Sequence, residues 1–116
     1  TREDGIVLVD KPRCIGCRYC MMACPYDARS FVHEDLADQK EHMPRGKGTV
    51  ESCTMCVHKV DKGEQPACAQ AVSSDAVIFG DLLDPTSNSH QTLKNVQSTQ
   101  IRADLNLNTG VRYSGI

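Results

Sequence analysis

The chain has 116 residues, 13 Lys and Arg against 15 Asp and Glu, a net charge of −2 and 4% aromatic residues. That length fits one compact domain, and the composition offers no basic stripe and no stacking platform for nucleic acid. No apolar run approaches the roughly 20 residues that cross a bilayer. Leu, Ile, Val and Phe together make about a fifth of the chain, so the core is small for the entropy it must offset. A metal or another staple is expected, and seven cysteines are available to hold one.

Residues 5–9, "GIVLV", are a β-branched apolar run behind a glycine and predict a short strand. "DKPR" turns the chain into "CIGCRYCMMACP", residues 14–25, with four cysteines and a closing proline. A short helix is expected from Arg18 to Ala23, ended by Pro25. Residues 27–52 are polar, mixed in charge and carry a loop signal in "MPRGKG". A second cysteine group runs from Cys53 to Cys68, and "AVIFGD" at 76–81 predicts a second strand. Each cysteine group thus has an apolar run beside it, as in a loosely duplicated unit. Residues 87–100 predict one helix capped by Ser87 or Ser89. The segment "IRADLNLNTGVRYSGI" reads as an extended tail that lies on a partner or on another part of a larger subunit.

Three chemistries compete for the thiols. Disulfides favour an even count and staple distant segments, whereas Cys14, Cys17 and Cys20 recur every third residue and crowd one point. Zinc would use the knuckles "CIGC" and "CTMC", that is Cys14, Cys17, Cys53 and Cys56. It would leave Cys20, Cys24 and Cys68 without a role. Iron–sulfur chemistry uses them all. C-x2-C-x2-C-x3-C-P is the bacterial ferredoxin run, in which three thiolates hold one cubane and the fourth reaches another. Two-residue gaps aim three thiolates and nearby backbone N–H groups at one cluster face. The wider gap swings the fourth away, and the proline fixes the exit.

The stretches "DGIVLVDKPRCIGCRYCMMACPYDAR", "CTMCVHKVDKGEQPAC" and "AVIFGDLLDPTS" resemble the iron–sulfur electron-transfer subunits of the DMSO-reductase-type molybdoenzyme family. That family includes related subunits of membrane sulfur- and sulfate-metabolism complexes. The resemblance covers roughly residues 4–87 and implies an α+β, ferredoxin-like fold of short strands and helices around cysteine-rich loops. It implies a ferredoxin-like domain over 1–84, with 27–52 as a polar insertion, and a docked extension over 85–116. Family subunits carry four cysteine motifs; the two present look like the last two, so the chain is expected to be the C-terminal part of a longer subunit.

In the family the second group ends C-x3-C-P. Here the last pair falls on Val72 and Ser73 in "CAQAVSS", and neither replaces the missing cysteine. In a self-contained two-cluster domain, Cys24, Cys53, Cys56 and Cys68 hold one [4Fe-4S] cluster. Cys14, Cys17 and Cys20 then form a site whose fourth ligand is absent at Val72, holding a [3Fe-4S] cluster or a [4Fe-4S] cluster with a labile iron. If the chain is half of a four-cluster subunit, Cys24 and the second group pair with cysteines outside it.

Around the motifs, His33, His42, His58 and His90 are read mainly as hydrogen-bonding or solvated residues, with His58 the best candidate ligand. Met21, Met22 and Met55 are read as packing that keeps water from a cluster. Tyr19 and Tyr26 are read as core, and Arg18 and Lys59 as charges near the ligands. No catalytic constellation stands beside the thiols. The expected role is electron relay between a membrane quinone or haem partner and a catalytic oxidoreductase subunit, with membrane contact only through partners. Among the compartments open to the family, the periplasmic side is favoured over the cytoplasm. A redox-silent zinc module and a degenerate assembly subunit are the rival readings.

Overall fold

The structure, a computed structural model, describes residues 1–116 and separates into two units, Thr1–Glu64 and Gln65–Ile116. It consists of four short α-helices, two 3-10 turns and one two-stranded sheet. No helix is long and apolar enough to cross a membrane.

In the first unit, a 3-10 turn at Lys11–Arg13, with Pro12 near its start, delivers the chain into the first cysteine run. Helix α1, Tyr19–Ala23, starts at Arg18 in the left-handed region (φ 61°) and ends where Cys24 turns extended ahead of Pro25. The expected helix at 18–23 is therefore present. Strands β1, Ser30–Phe31, and β2, Val50–Glu51, pair antiparallel with Ser30 opposite Glu51 and Phe31 opposite Val50. Helix α2, Val57–Val60, follows Cys56, which also has a left-handed backbone (φ 50°).

The strand expected at 5–9 does not form, and neither does the one at 76–81. Apolar content makes a segment worth burying, but a strand needs a ladder, and neither run enters one. Ile6 is buried, while Val7 and Leu8 remain exposed. The ladder forms instead at the two ends of the polar stretch 27–52, where the sequence signals loop. The Val32 N–H donates to the Thr49 carbonyl at 3.0 Å and the Gly48 N–H returns to Val32 at 2.8 Å, extending the pairing beyond the strands. Ile6, Val32 and Val50 are the buried apolar residues, Val50 being 1% exposed. Between the strands the stretch is tied by ion pairs, Arg45 to Glu51 of β2 and Lys47 to Asp35.

The second unit contains α3, Ala67–Ala71, and α4, Asn88–Asn95. The Ser87 hydroxyl accepts the His90 N–H at 3.2 Å and caps α4, one of the two caps expected. Pro66 and Ser89 are its buried residues. The tail is not simply extended: Ala103–Leu105 forms a 3-10 turn, and Thr99 pairs with Tyr113 through two hydrogen bonds of 2.8 Å.

Candidate metal centre

All seven cysteines are free thiols. Cys14, Cys24 and Cys56 are half-buried, whereas Cys17, Cys20, Cys53 and Cys68 are exposed. The loop that carries the first run is built by close backbone approach. Gly16 has φ +70°, and a Cβ there would lie 2.1 Å from the Gly48 carbonyl oxygen. Only glycine fits between the first cysteine loop and the turn that leads into β2.

Three thiols receive backbone N–H groups. Val50 donates to Cys14 Sγ at 3.3 Å, Ala28 to Cys24 Sγ at 3.5 Å and Met55 to Cys53 Sγ at 3.4 Å. Cys14 is held below the ordinary thiol range by the Val50 N–H first, then the Gly16 N–H, with Lys11 adding positive charge. Cys24 is lowered chiefly by the Ala28 N–H, then by that of Tyr26, with Arg29 assisting. The thiolate is the form that ligates metal, and donors to sulfur favour it. Met55 and Cys56 are consecutive left-handed non-glycine residues (φ 55° and 50°), a conformation that persists only where the surroundings hold it.

No three His, Cys, Asp or Glu side chains are placed to hold a single metal ion. A cubane has an extended body and takes its thiolates at separate corners, so thiols arranged around it need not meet as zinc ligands do. Reduced thiols, N–H donors aimed at sulfur and left-handed turns at the motifs all suit such a cluster. The six cysteines of the first unit are Cys14, Cys17, Cys20, Cys24, Cys53 and Cys56; Cys68 lies in α3 of the second. Val72 caps the end of α3, half-buried. No sulfur stands at that position.

Each of the four histidines has a side-chain or backbone partner. His42 stacks on His58 at 4.0 Å, His33 meets the Phe31 ring edge-on at 4.8 Å, and His90 Nδ1 lies 2.7 Å from the Leu82 carbonyl. Burial and neighbouring His42 lower the pKa of His58. Arg18 sits over the Phe31 ring at 4.1 Å, a cation–π contact, and Lys59 pairs with Glu64 at 3.8 Å. Tyr19 is 72% exposed and is not core; a five-residue helix with no buried position gives it no interior face to fill. Met22 and Met55 are also exposed, while Met21 is half-buried. The residues unforeseen from sequence are Val50 and Lys11. Val50 acts through its main chain, which no motif encodes, and Lys11 stands three residues ahead of Cys14, a spacing that is visible but not distinctive.

Residues 1–82 match the family model described as a 4Fe-4S dicluster domain, and the chain belongs to that family. Over 97% of its length it is 44% identical to the Hdr-like menaquinol oxidoreductase iron-sulfur subunit 1 of Archaeoglobus fulgidus, covering 47% of that protein. It is 46% identical over 74% of its length to one of the subunits of tetrathionate reductase from Salmonella typhimurium, covering 30%. Against the menaquinone reductase iron-sulfur cluster-binding subunit of Nitratidesulfovibrio vulgaris it is 34% identical over 96% of its length, covering 54%. The chain thus spans about a third to a half of the length of these relatives.

Proposed function

We propose that this chain is the cluster-bearing, electron-relaying part of an oxidoreductase iron–sulfur subunit. It passes single electrons between a membrane quinone or haem partner and a catalytic subunit, and substrate conversion takes place on that other chain. The observation that carries this reading is the conjunction of the C-x2-C-x2-C-x3-C-P run with backbone donors to the sulfurs of Cys14, Cys24 and Cys53, inside a 4Fe-4S dicluster match. Relatives named as subunits of a menaquinol oxidoreductase and of a menaquinone reductase support the quinone side of the relay.

The ligand reading follows the motif. Cys24, Cys53, Cys56 and Cys68 hold one [4Fe-4S] cluster; Cys14, Cys17 and Cys20 hold the other site, three-coordinate for want of a thiol at Val72. A [3Fe-4S] cluster, or a [4Fe-4S] cluster with a labile iron, fits three thiolates. The fold on this reading is ferredoxin-like, with 1–84 as the cluster domain and 85–116 as a docking extension. When bound, the clusters supply reversible one-electron chemistry. The chain's own residues hold the sulfurs, point N–H groups at them and set how easily charge enters. Iron and sulfide determination with EPR of the oxidised protein tests the assignment. A [3Fe-4S] signal that Val72→Cys abolishes supports it. A colourless, zinc-loaded protein overturns it.

A further inference from the structure

Lys11 stands out among the cations of the first unit because of what its ammonium grips. Nζ donates to the Val50 carbonyl at 2.8 Å and to the Thr49 hydroxyl at 3.3 Å. These two contacts flank the Val50 amide, whose N–H donates to Cys14 Sγ at 3.3 Å. The Lys11 side chain is only 17% exposed, so its charge is partly shielded from solvent. Its nearest carboxylate, Glu51, lies 3.9 Å away and is itself clamped by Arg45, at 2.8 Å from Nε and 2.6 Å from Nη2. Glu51 is thus shared between two cations, and its negative charge is not spent on Lys11 alone.

We propose that Lys11 is a positioning residue for the redox site begun by Cys14, raising its reduction potential by holding the Val50 amide on the sulfur and by placing a part-buried positive charge beside it. The proposal rests on the electron-transfer reading above. The physical basis is simple. A site that accepts one electron from its partner gains one negative charge with no bond broken, and both a nearby cation and an N–H donor to sulfur favour the more negative state. The polar stretch 27–52 then acquires a purpose, because its closing strand brings the Val50 donor to a cysteine 36 residues earlier. Gly16 allows that approach by leaving room for the Gly48 carbonyl.

The test is an EPR-monitored redox titration of the cluster-loaded protein, with dithionite as reductant, on wild type, Lys11→Met and Lys11→Arg. Lys11→Met is expected to disfavour reduction of one centre about tenfold, which for one electron is about 59 mV, and to leave the second centre unmoved. Lys11→Arg, which keeps the charge, is expected to restore most of the difference. Should Lys11→Met load poorly, Lys11→Gln keeps a donor for the Val50 carbonyl without the charge and is expected to shift the same centre in the same direction. Unchanged potentials in a loaded neutral variant, an equal shift of both centres, or an arginine variant displaced as far as methionine would each overturn the proposal. Wild-type protein that takes up no iron and sulfide overturns the electron-transfer reading, and this one with it.

Discussion

The two cysteine groups are handled differently by the chain. The first, Cys14 to Cys24, is complete in its spacing and is supported from afar: β2 brings the Val50 N–H to Cys14, and Gly16 gives way to the Gly48 carbonyl. The second group begins with a local device, the Met55 N–H on Cys53 and two left-handed residues before α2. It then runs into a second unit whose buried residues are Pro66 and Ser89. There the motif breaks at Val72. The contrast teaches that a complete motif and a complete site are separate things. On the proposed pairing, the intact run contributes three thiolates to the site that lacks its fourth, because that fourth comes from the other group.

The largest effect should come from removing the metal. With Ile6, Val32 and Val50 as the buried apolar residues, the core is small, and binding energy of the clusters is then folding energy. Chelation under oxidising conditions is expected to abolish the visible absorption and the cooperative thermal transition together, as followed by circular dichroism. Survival of a sharp transition in the metal-free protein would show that the core suffices.

Next in size is a glycine pair that separates crowding from backbone strain. Gly16→Ala forces a Cβ to within 2.1 Å of the Gly48 carbonyl at φ +70° and should cost about 3 kcal/mol, from overlap and left-handed strain together. Gly48→Ala has a similar φ of +80° with nothing within 4 Å of the new Cβ and should cost about 1.5 kcal/mol, from left-handed strain alone. Denaturant melts of the loaded protein give both values. Equal costs would mean that the approach of loop to turn is not tight. The smallest effect belongs to the second unit. Ser87→Ala removes the acceptor of the His90 N–H at 3.2 Å and should cost about 1 kcal/mol, leaving the EPR spectrum unchanged.

How much of this was legible in the sequence depended on range. The iron–sulfur family was readable because four cysteines crowd into one short run at 14–24, and α1 and α4 were readable because Pro25 and Ser87 are local stop and start signals. The sheet was not. Two-residue strands joining Phe31 to Val50 leave no alternating pattern to find, and the longer apolar runs at 5–9 and 76–81 misled by having hydrophobicity without a ladder. The same holds for the site. Cys14 announced itself, but its donor Val50 contributes a main-chain N–H that any residue except proline would carry. Tyr19 misled for a related reason: an aromatic in a small protein suggests core, yet α1 has no buried face.

The central claim is that one site is three-coordinate because position 72 is valine. It is tested most directly by comparing the oxidised EPR spectrum and the iron content of wild type and Val72→Cys. The account predicts a [3Fe-4S] signal in wild type that disappears in the variant, with about one more iron bound per chain. A wild type without that signal under oxidising conditions, or a variant that keeps it at full intensity with unchanged iron, would contradict it.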